Sequence, residues 1–209
     1  MATTRAGYDR IAEPYAQRFH RHLDDKPLDL AMLHAFATLV AMTHNKHVVD
    51  VGCGTGATTQ ILCSHGVDAY GIDLSPKMID QALRLNPDLS FQVGSMTDLD
   101  AQDASVGGVC AWYSIIHIPD EHLNNVFHEL ARILIPGGIL LLAFQIGDQP
   151  RILHEAFNHQ VELTFSRRQP DDVARRLERA GLHPYADLVR QPDNDGFEST
   201  AHAYIIARK

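Results

Sequence analysis

Three glycines alternate in Val48-Val49-Asp50-Val51-Gly52-Cys53-Gly54-Thr55-Gly56, directly behind an apolar run. Glycine lacks a Cβ and takes backbone angles closed to other residues, so such a corner lets a bound molecule touch the main chain. A small ligand is therefore expected against Gly52, Gly54 and Gly56. Asp73 follows about 20 residues later at the end of a second predicted strand, where a carboxylate can take both hydroxyls of a ribose. Together these features point to an adenosine-type ligand. Two structural alternatives stand beside them: a tight turn with no ligand, and an Asp73 that caps the next helix. Among the histidines, His117, at the end of a later strand, is best placed to act as a base near neutral pH. Packing or orienting a substrate is its other reading.

The glycine spacing bears on the ligand class. A dinucleotide asks for Gly-x-Gly-x-x-Gly so that pyrophosphate rests on helix amides, whereas this chain reads Gly52-x-Gly54-x-Gly56 behind Asp50. Ala57 can replace the third dinucleotide glycine, so spacing alone leaves both classes open.

The elements that must hold these residues alternate. Apolar residues at helical spacing predict helices over Tyr8 to Phe19 and Leu28 to Ala41, as cap or lid candidates. A strand at His47 to Val51 feeds a helix at Ala57 to Ser64, stopped by Gly66. Strand two covers Asp68 to Ile72. Ser75-Pro76 starts a helix to Leu85, because Ser can cap free amides and Pro sacrifices no bond at the first position. Strands at Ser90 to Val93 and Gly108 to Tyr113 come next. Asp120 is expected to cap a helix that Pro136-Gly137-Gly138 ends, before a fifth strand at Ile139 to Phe144. Gln145 to Gln169 reads as a variable insertion with one short exposed strand at Val161 to Phe165. A helix from Pro170 to Ala180, with Asp171-Asp172 in its first turn, precedes strands at Tyr185 to Arg190 and Ala201 to Ala207 around a polar turn at 192–196.

This order predicts an α/β chain of Rossmann-like, doubly wound type. Its mainly parallel seven-stranded sheet has an antiparallel C-terminal strand and N-terminal cap helices. All 209 residues are expected in one domain, with 1–44 as the cap and 145–169 as the substrate-side insertion. Ligands of such sheets bind at the carboxyl ends of the strands, where every candidate residue falls.

The residues just described resemble class I S-adenosylmethionine-dependent methyltransferases of the small-molecule type. The likeness is carried by Val48 to Gly56, by Asp73-Leu74-Ser75-Pro76-Lys77-Met78 and by Gly94-Ser95-Met96-Thr97-Asp98-Leu99. It continues in Trp112-Tyr113-Ser114-Ile115-Ile116-His117-Ile118 and Leu134-Ile135-Pro136-Gly137-Gly138-Ile139-Leu140, so it spans Val48 to Leu142. It implies S-adenosyl-L-methionine as cofactor and S-adenosyl-L-homocysteine as product. By the same resemblance Asp50, Gly52, Cys53, Gly54 and Gly56 form the corner beside the methionine part, and Asp73 holds the ribose. Leu74 and Met78 pack on the adenine, with Gly94, Ser95 and Met96 at its edge. Position 95 is often acidic in such enzymes and is Ser95 here, whose hydroxyl can still meet adenine. Ala111, Trp112 and Tyr113 border the sulfonium, where carbonyl oxygens and aromatic faces favour positive charge. Tyr8-Asp9-Arg10-Ile11-Ala12-Glu13-Pro14-Tyr15 is similar to the entry helix of many members, in which Tyr8 and Tyr15 fold over the cofactor. Ordinary amphipathic packing is the alternative for both tyrosines.

Composition narrows the partners. A formal charge of −8 and pI near 5.8 argue against nucleic acid, which needs clustered Lys and Arg. The apolar runs are far shorter than the roughly 20 residues that cross a bilayer, and Met1 to Arg10 carries no secretory pattern. Cys53, Cys63 and Cys110 lack C-x-x-C spacing and suit a reducing cytoplasm; the 13 histidines lack zinc spacing, so no metal is assigned. The expected activity is transfer of a methyl group to an oxygen, nitrogen or carbon of a small molecule. Two alternatives are a module that binds the cofactor without turnover and an NAD-dependent oxidoreductase. The second lacks a Tyr-x-x-x-Lys pair. Oligomeric state is not readable from the sequence.

Overall fold

The computed structural model describes residues 2–193 and 196–209. Its centre is a seven-stranded sheet in the order β3-β2-β1-β4-β5-β9-β8. The strands are β1 (His47–Val51), β2 (Asp68–Asp73), β3 (Phe91–Val93), β4 (Val106–Trp112), β5 (Leu134–Gln145), β8 (His183–Arg190) and β9 (His202–Arg208). β1 to β5 are parallel, and β9 runs antiparallel between β5 and β8. All seven residues of β4 are buried, as a central strand covered on both faces requires.

Helices α1 (Ala2–Phe19), α2 (Pro27–Ala41), α3 (Ala57–Ser64), α4 (Pro76–Leu85), α5 (Asp120–Ile133) and α6 (Pro170–Arg179) complete the fold. One face of the sheet packs Leu123, Phe127 and Leu130 of α5 with Val173 and Leu177 of α6. The other packs Leu33, Phe36 and Val40 of α2 with Leu62 of α3. The two N-terminal helices therefore differ in role: α2 is a core helix of the sheet, and only α1 lies over the carboxyl ends of the strands. There α1 meets a separate hairpin of β6 (Arg151–Ala156) and β7 (His159–Phe165) through Ile11, Val161 and Leu163.

Several boundaries depart from the sequence reading. The insertion carries two strands rather than one, because Phe157 and Asn158 both take positive φ, 53° and 62°, and close a two-residue hairpin turn. Asp120 does not cap α5. Pro119 is the capping position, no side chain bonds there, and the Asp120 carboxylate instead accepts from Arg168 at 3.1 Å. Pro136-Gly137-Gly138 does not end that helix either. The chain turns extended at Leu134, and the three residues lie inside β5, where Gly137 N donates to Lys209 O at 2.8 Å. The polar turn expected at 192–196 is only partly visible, since Asn194 and Asp195 lie outside the described residues.

Candidate active site

At the carboxyl end of β1 the chain turns with Gly52 at φ 74°, Gly54 at 54° and Gly56 at 80°. The amides of Gly52 and Cys53 donate to Ile72 O at 2.7 and 3.1 Å, which pins the corner to β2. The three glycines serve different ends. A Cβ on Gly52 would lie 2.3 Å from the Ser114 Cβ, and one on Gly56 would meet Phe91 and Asn86. A Cβ on Gly54 would meet nothing within 4 Å: it would project into open space.

Asp73 closes the corner. Its Oδ2 accepts from Gly54 N at 2.9 Å and its Oδ1 from Ser75 N at 2.8 Å. Burial raises its pKa, and these two amides work against the rise. Ser75 caps α4, accepting from Met78 N at 3.1 Å, and its hydroxyl donates to Asp9 of α1 at 2.6 Å. The first helix is thereby tied to the strand-two loop.

A cavity of about 390 Å³ opens above the corner. Gly52, Cys53, Gly54, Asp73, Leu74 and Met78 line one end, with Gly94, Ser95 and Met96. Trp112, Tyr113 and His117 line it from the other strands, and Tyr8 and Tyr15 from α1, their rings 5.8 Å apart. Three expected residues lie elsewhere. Asp50 is fully buried beneath the corner, where it accepts from Thr59 Oγ1 at 2.7 Å and burial pushes its pKa up to about 7. Gly56 begins α3 and faces Phe91 and Asn86, and Ala111 is packed inside the sheet. Burial also lifts the Cys53 thiol well above its usual range, which makes it a poor nucleophile.

His117 closes a single 3₁₀ turn, Ile115–His117, which Arg168 clamps by donating to Ile115 O and Ile118 O at 3.2 and 2.5 Å. Its Nδ1 lies 2.9 Å from Thr164 O; a carbonyl only accepts, so Nδ1 carries the proton. Nε2 then accepts from the Tyr8 hydroxyl at 2.7 Å. Burial lowers its pKa to about 4, so the ring is neutral with its lone pair engaged.

A second polar group in the cavity wall escaped the sequence reading. Arg190 donates through both terminal nitrogens to Glu198, at 2.6 and 2.7 Å, and through Nε to Asp29 at 3.1 Å and the Tyr204 hydroxyl at 2.8 Å. Tyr204 donates to Asp29 Oδ1 at 2.8 Å and meets the Tyr113 hydroxyl at 2.9 Å, which in turn meets His202 Nδ1 at 2.5 Å. Burial favours the neutral form of Glu198, yet Arg190 and the Asp193 amide hold it down at about 2. One signal for this cluster was available: Asp29 is a lone charge in an otherwise apolar helix. Among the described residues no group of three or more His, Cys, Asp or Glu is placed to hold a metal ion, and no helix is long and apolar enough to cross a membrane.

Part of this chain is similar to known proteins. Residues 48–138 match the family model described as a methyltransferase domain. O-methyltransferase resE of Aspergillus sclerotiorum is 36% identical over 105 residues, covering 47% of this chain and 39% of its own length. Magnesium-protoporphyrin O-methyltransferase of Rhodobacter capsulatus is 50% identical over 90 residues, covering 41% of this chain and 39% of its own. The chain thus spans about two fifths of the length of these relatives. A methyltransferase structure from Methanosarcina mazei superposes with TM-score 0.73 at 18% identity, over 85% of this chain and 96% of the other. The structure of DhpI in complex with SAH gives 0.76 at 18%, over 99% and 95%, a likeness of fold.

Proposed function

We propose that this chain, a class I S-adenosylmethionine-dependent methyltransferase by its segment 48–138, methylates a hydroxyl group on a small aromatic molecule. The observation that carries the reading is the open corner at Gly54, held by Asp73 at the mouth of a cavity large enough for a nucleoside and an acceptor. The residues present fit S-adenosylmethionine. The space a Cβ at Gly54 would fill is available to its amino-acid tail, and the Asp73 oxygens keep lone pairs for ribose hydroxyls. Leu74, Met78 and Met96 offer an apolar surface for the adenine.

When bound, S-adenosylmethionine supplies a methyl group on a good leaving group, so positioning and exclusion of water can provide most of the rate. Helix α1 does the excluding. Asp9 ties it to α4, Arg10 donates to Gln160 O at 2.8 Å on the hairpin, and Tyr8 bonds His117. Phe19 adds an aromatic wall, 6.2 Å from Phe157 and 5.6 Å from Phe197 between ring centres. An aromatic acceptor suits these edge-on rings, and the O-methyltransferases among the relatives support oxygen as the atom methylated. The formal charge of −8 supports a small molecule over nucleic acid as partner, and three free cysteines support a reducing, cytoplasmic setting.

Calorimetric titration with S-adenosylmethionine and with NAD tests the cofactor, and release of S-adenosylhomocysteine on adding a panel of phenols tests turnover. Binding of the sulfonium alone, with product released only when a phenol is present, is the expected result. NAD binding, or cofactor binding with no turnover on any hydroxyl, amine or carbon acceptor, would replace this reading with one of the alternatives.

A further inference from the structure

Three buried polar atoms belonging to residues of the cavity wall have no hydrogen-bond partner among the described residues: Ser114 Oγ, Gln145 Oε1 and His202 Nε2. Two of them are neighbours across the sheet and the third lies by the Gly52 corner. Ser114 follows β4 by two residues, Gln145 ends β5, and His202 begins β9 directly opposite Gln145 in the register. A buried polar atom left without a partner costs about 1–3 kcal/mol, so each of the three calls for one, and the adjoining pair Gln145 Oε1 and His202 Nε2 is where a ligand's polar group would meet two at once.

The bonds behind His202 decide which of its nitrogens carries the proton. Tyr204 has one proton and directs it at Asp29, which is ion-paired with Arg190, so toward Tyr113 it can only accept. Tyr113 therefore spends its proton on Tyr204 and accepts from His202 Nδ1. What remains on Nε2 is a bare lone pair. His117 differs, because its equivalent lone pair is already occupied by Tyr8.

We infer that His202 Nε2 takes the proton from the acceptor hydroxyl as that hydroxyl is methylated, with Tyr113, Tyr204 and Asp29 holding the ring in the required tautomer. In the step the acceptor O–H bond breaks toward Nε2, and the oxygen bonds the methyl carbon. The carbon–sulfur bond breaks with its electron pair left on sulfur, so the positive charge passes from sulfonium to imidazolium. The groups facing His202 suit that charge. Glu198 Oε2 lies 3.8 Å from Nε2 and Asp29 stands behind the tyrosines, while Arg190 and Lys26 oppose them. Burial is the largest influence on the ring and, with those two cations, keeps it neutral before reaction. Burial lowers the basicity of this imidazole, and a weaker general base transfers the proton of an acidic hydroxyl more readily than that of an alkanol, which favours a phenol as acceptor. The inference rests on the methyltransferase reading above.

The test uses the full chain labelled with ¹⁵N-histidine and saturated with S-adenosylhomocysteine, and two probe acceptors, phenol and the more acidic 4-nitrophenol. Ring-nitrogen spectra, with His202 assigned by its contact to the Tyr113 ring, are expected to show Nδ1 protonated and Nε2 bare. His202→Gln is expected to slow methylation of phenol by about a hundredfold or more, the usual worth of a general base. Assayed at an alkaline pH where 4-nitrophenol is largely ionised and phenol is not, it should slow 4-nitrophenol far less, with cofactor affinity unchanged within about twofold. A proton on Nε2, or equal losses for both phenols, overturns the assignment, and the spectrum decides even where the variant fails to fold. A wild-type chain that binds S-adenosylmethionine but methylates neither phenol overturns it while sparing the cofactor reading. Absence of S-adenosylmethionine binding removes both.

Discussion

The hydroxyl of Tyr8, near the start of the chain, donates to His117 Nε2 at 2.7 Å across a separation of 109 residues. The bond joins α1 to the turn behind β4 and makes the roof of the cavity part of its wall. Tyr8 pays for this by losing contact with water, and burial raises its pKa well above the usual value. The pair is therefore a neutral hydroxyl on a neutral imidazole, a latch rather than an ion pair.

Tyr8→Phe keeps the ring and removes the latch. The buried His117 Nε2 then lacks its partner, at a cost of about 1–3 kcal/mol. We expect urea denaturation to show that loss and calorimetry to show up to about tenfold weaker S-adenosylmethionine binding, since closure of α1 becomes less favourable. Unchanged values in both measurements would mean that the latch contributes nothing to closure.

Acid titration separates two buried groups of opposite sign. His117 has its folded pKa depressed to about 4 from 6.5, so its contribution is complete above pH 6.5 and is lost as pH falls toward 4. The linked loss is at most about 3 kcal/mol. Asp50 runs the other way: raised from 3.8 to about 7, its contribution is complete below pH 3.8 and lost as pH rises toward 7. The two offset each other in the wild type. Urea midpoints across pH 4 to 8 are therefore expected to rise toward acid in His117→Gln, where Asp50 acts unopposed, and to fall toward acid in Asp50→Asn, where His117 does.

The glycine corner yields a contrast between stability and binding. At Gly52 an alanine adds a positive-φ strain and a Cβ contact of 2.3 Å with Ser114, so Gly52→Ala is expected to lose about 2–3 kcal/mol of stability. At Gly54 the space is open, and Gly54→Ala is expected to cost about 1 kcal/mol in folding while weakening S-adenosylmethionine tenfold or more, by order of magnitude. Thermal unfolding beside calorimetry distinguishes them; equal effects of the two variants on binding would show that the methyl group at position 54 does not meet the cofactor.

What was legible in the sequence was local. Gly52, Asp73 and Ser75-Pro76 sit at fixed short distances along the chain, and their spacing alone implies a corner, an acceptor and a capped helix. The hairpin at 151–165 was half hidden because its turn uses Phe157 and Asn158 at positive φ, where Asn-Gly would have announced it. The Pro136-Gly137-Gly138 run misled for a related reason: a strand absorbed it, and Lys209, far along the chain, pairs with its two glycines. The cluster of Asp29, Arg190, Glu198 and His202 left one local trace, the lone charge of Asp29 in α2, but its partners could not be read, since Asp29 and Tyr204 bond across 175 residues and no local pattern encodes that meeting.

Asp73 holds the corner and faces the cavity, so its replacement is expected to act on both. Asp73→Ala removes acceptors from Gly54 N and Ser75 N and should weaken S-adenosylmethionine by about 1.5–3 kcal/mol, the worth of hydrogen bonds to a charged group. Asp73→Asn retains an acceptor oxygen and should recover part of the loss. Calorimetry checks both, and full affinity in the alanine variant would remove the ribose from this position.

Arg190 bonds both carboxylates of the buried cluster, and its loss leaves each with fewer partners. Asp29 keeps only the Tyr204 hydroxyl, and Glu198 keeps Lys26 at 3.6 Å and the Asp193 amide at 2.7 Å. Arg190→Met is expected to destabilise the fold by about 3–5 kcal/mol, as breaking a buried ion pair commonly does. Adding Glu198→Gln removes one of the stranded charges and should return part of that energy, a coupling that independent sites do not show. Urea unfolding of wild type, both single variants and the double variant at pH 7 measures it. Strict additivity would mean that Arg190 and Glu198 act separately.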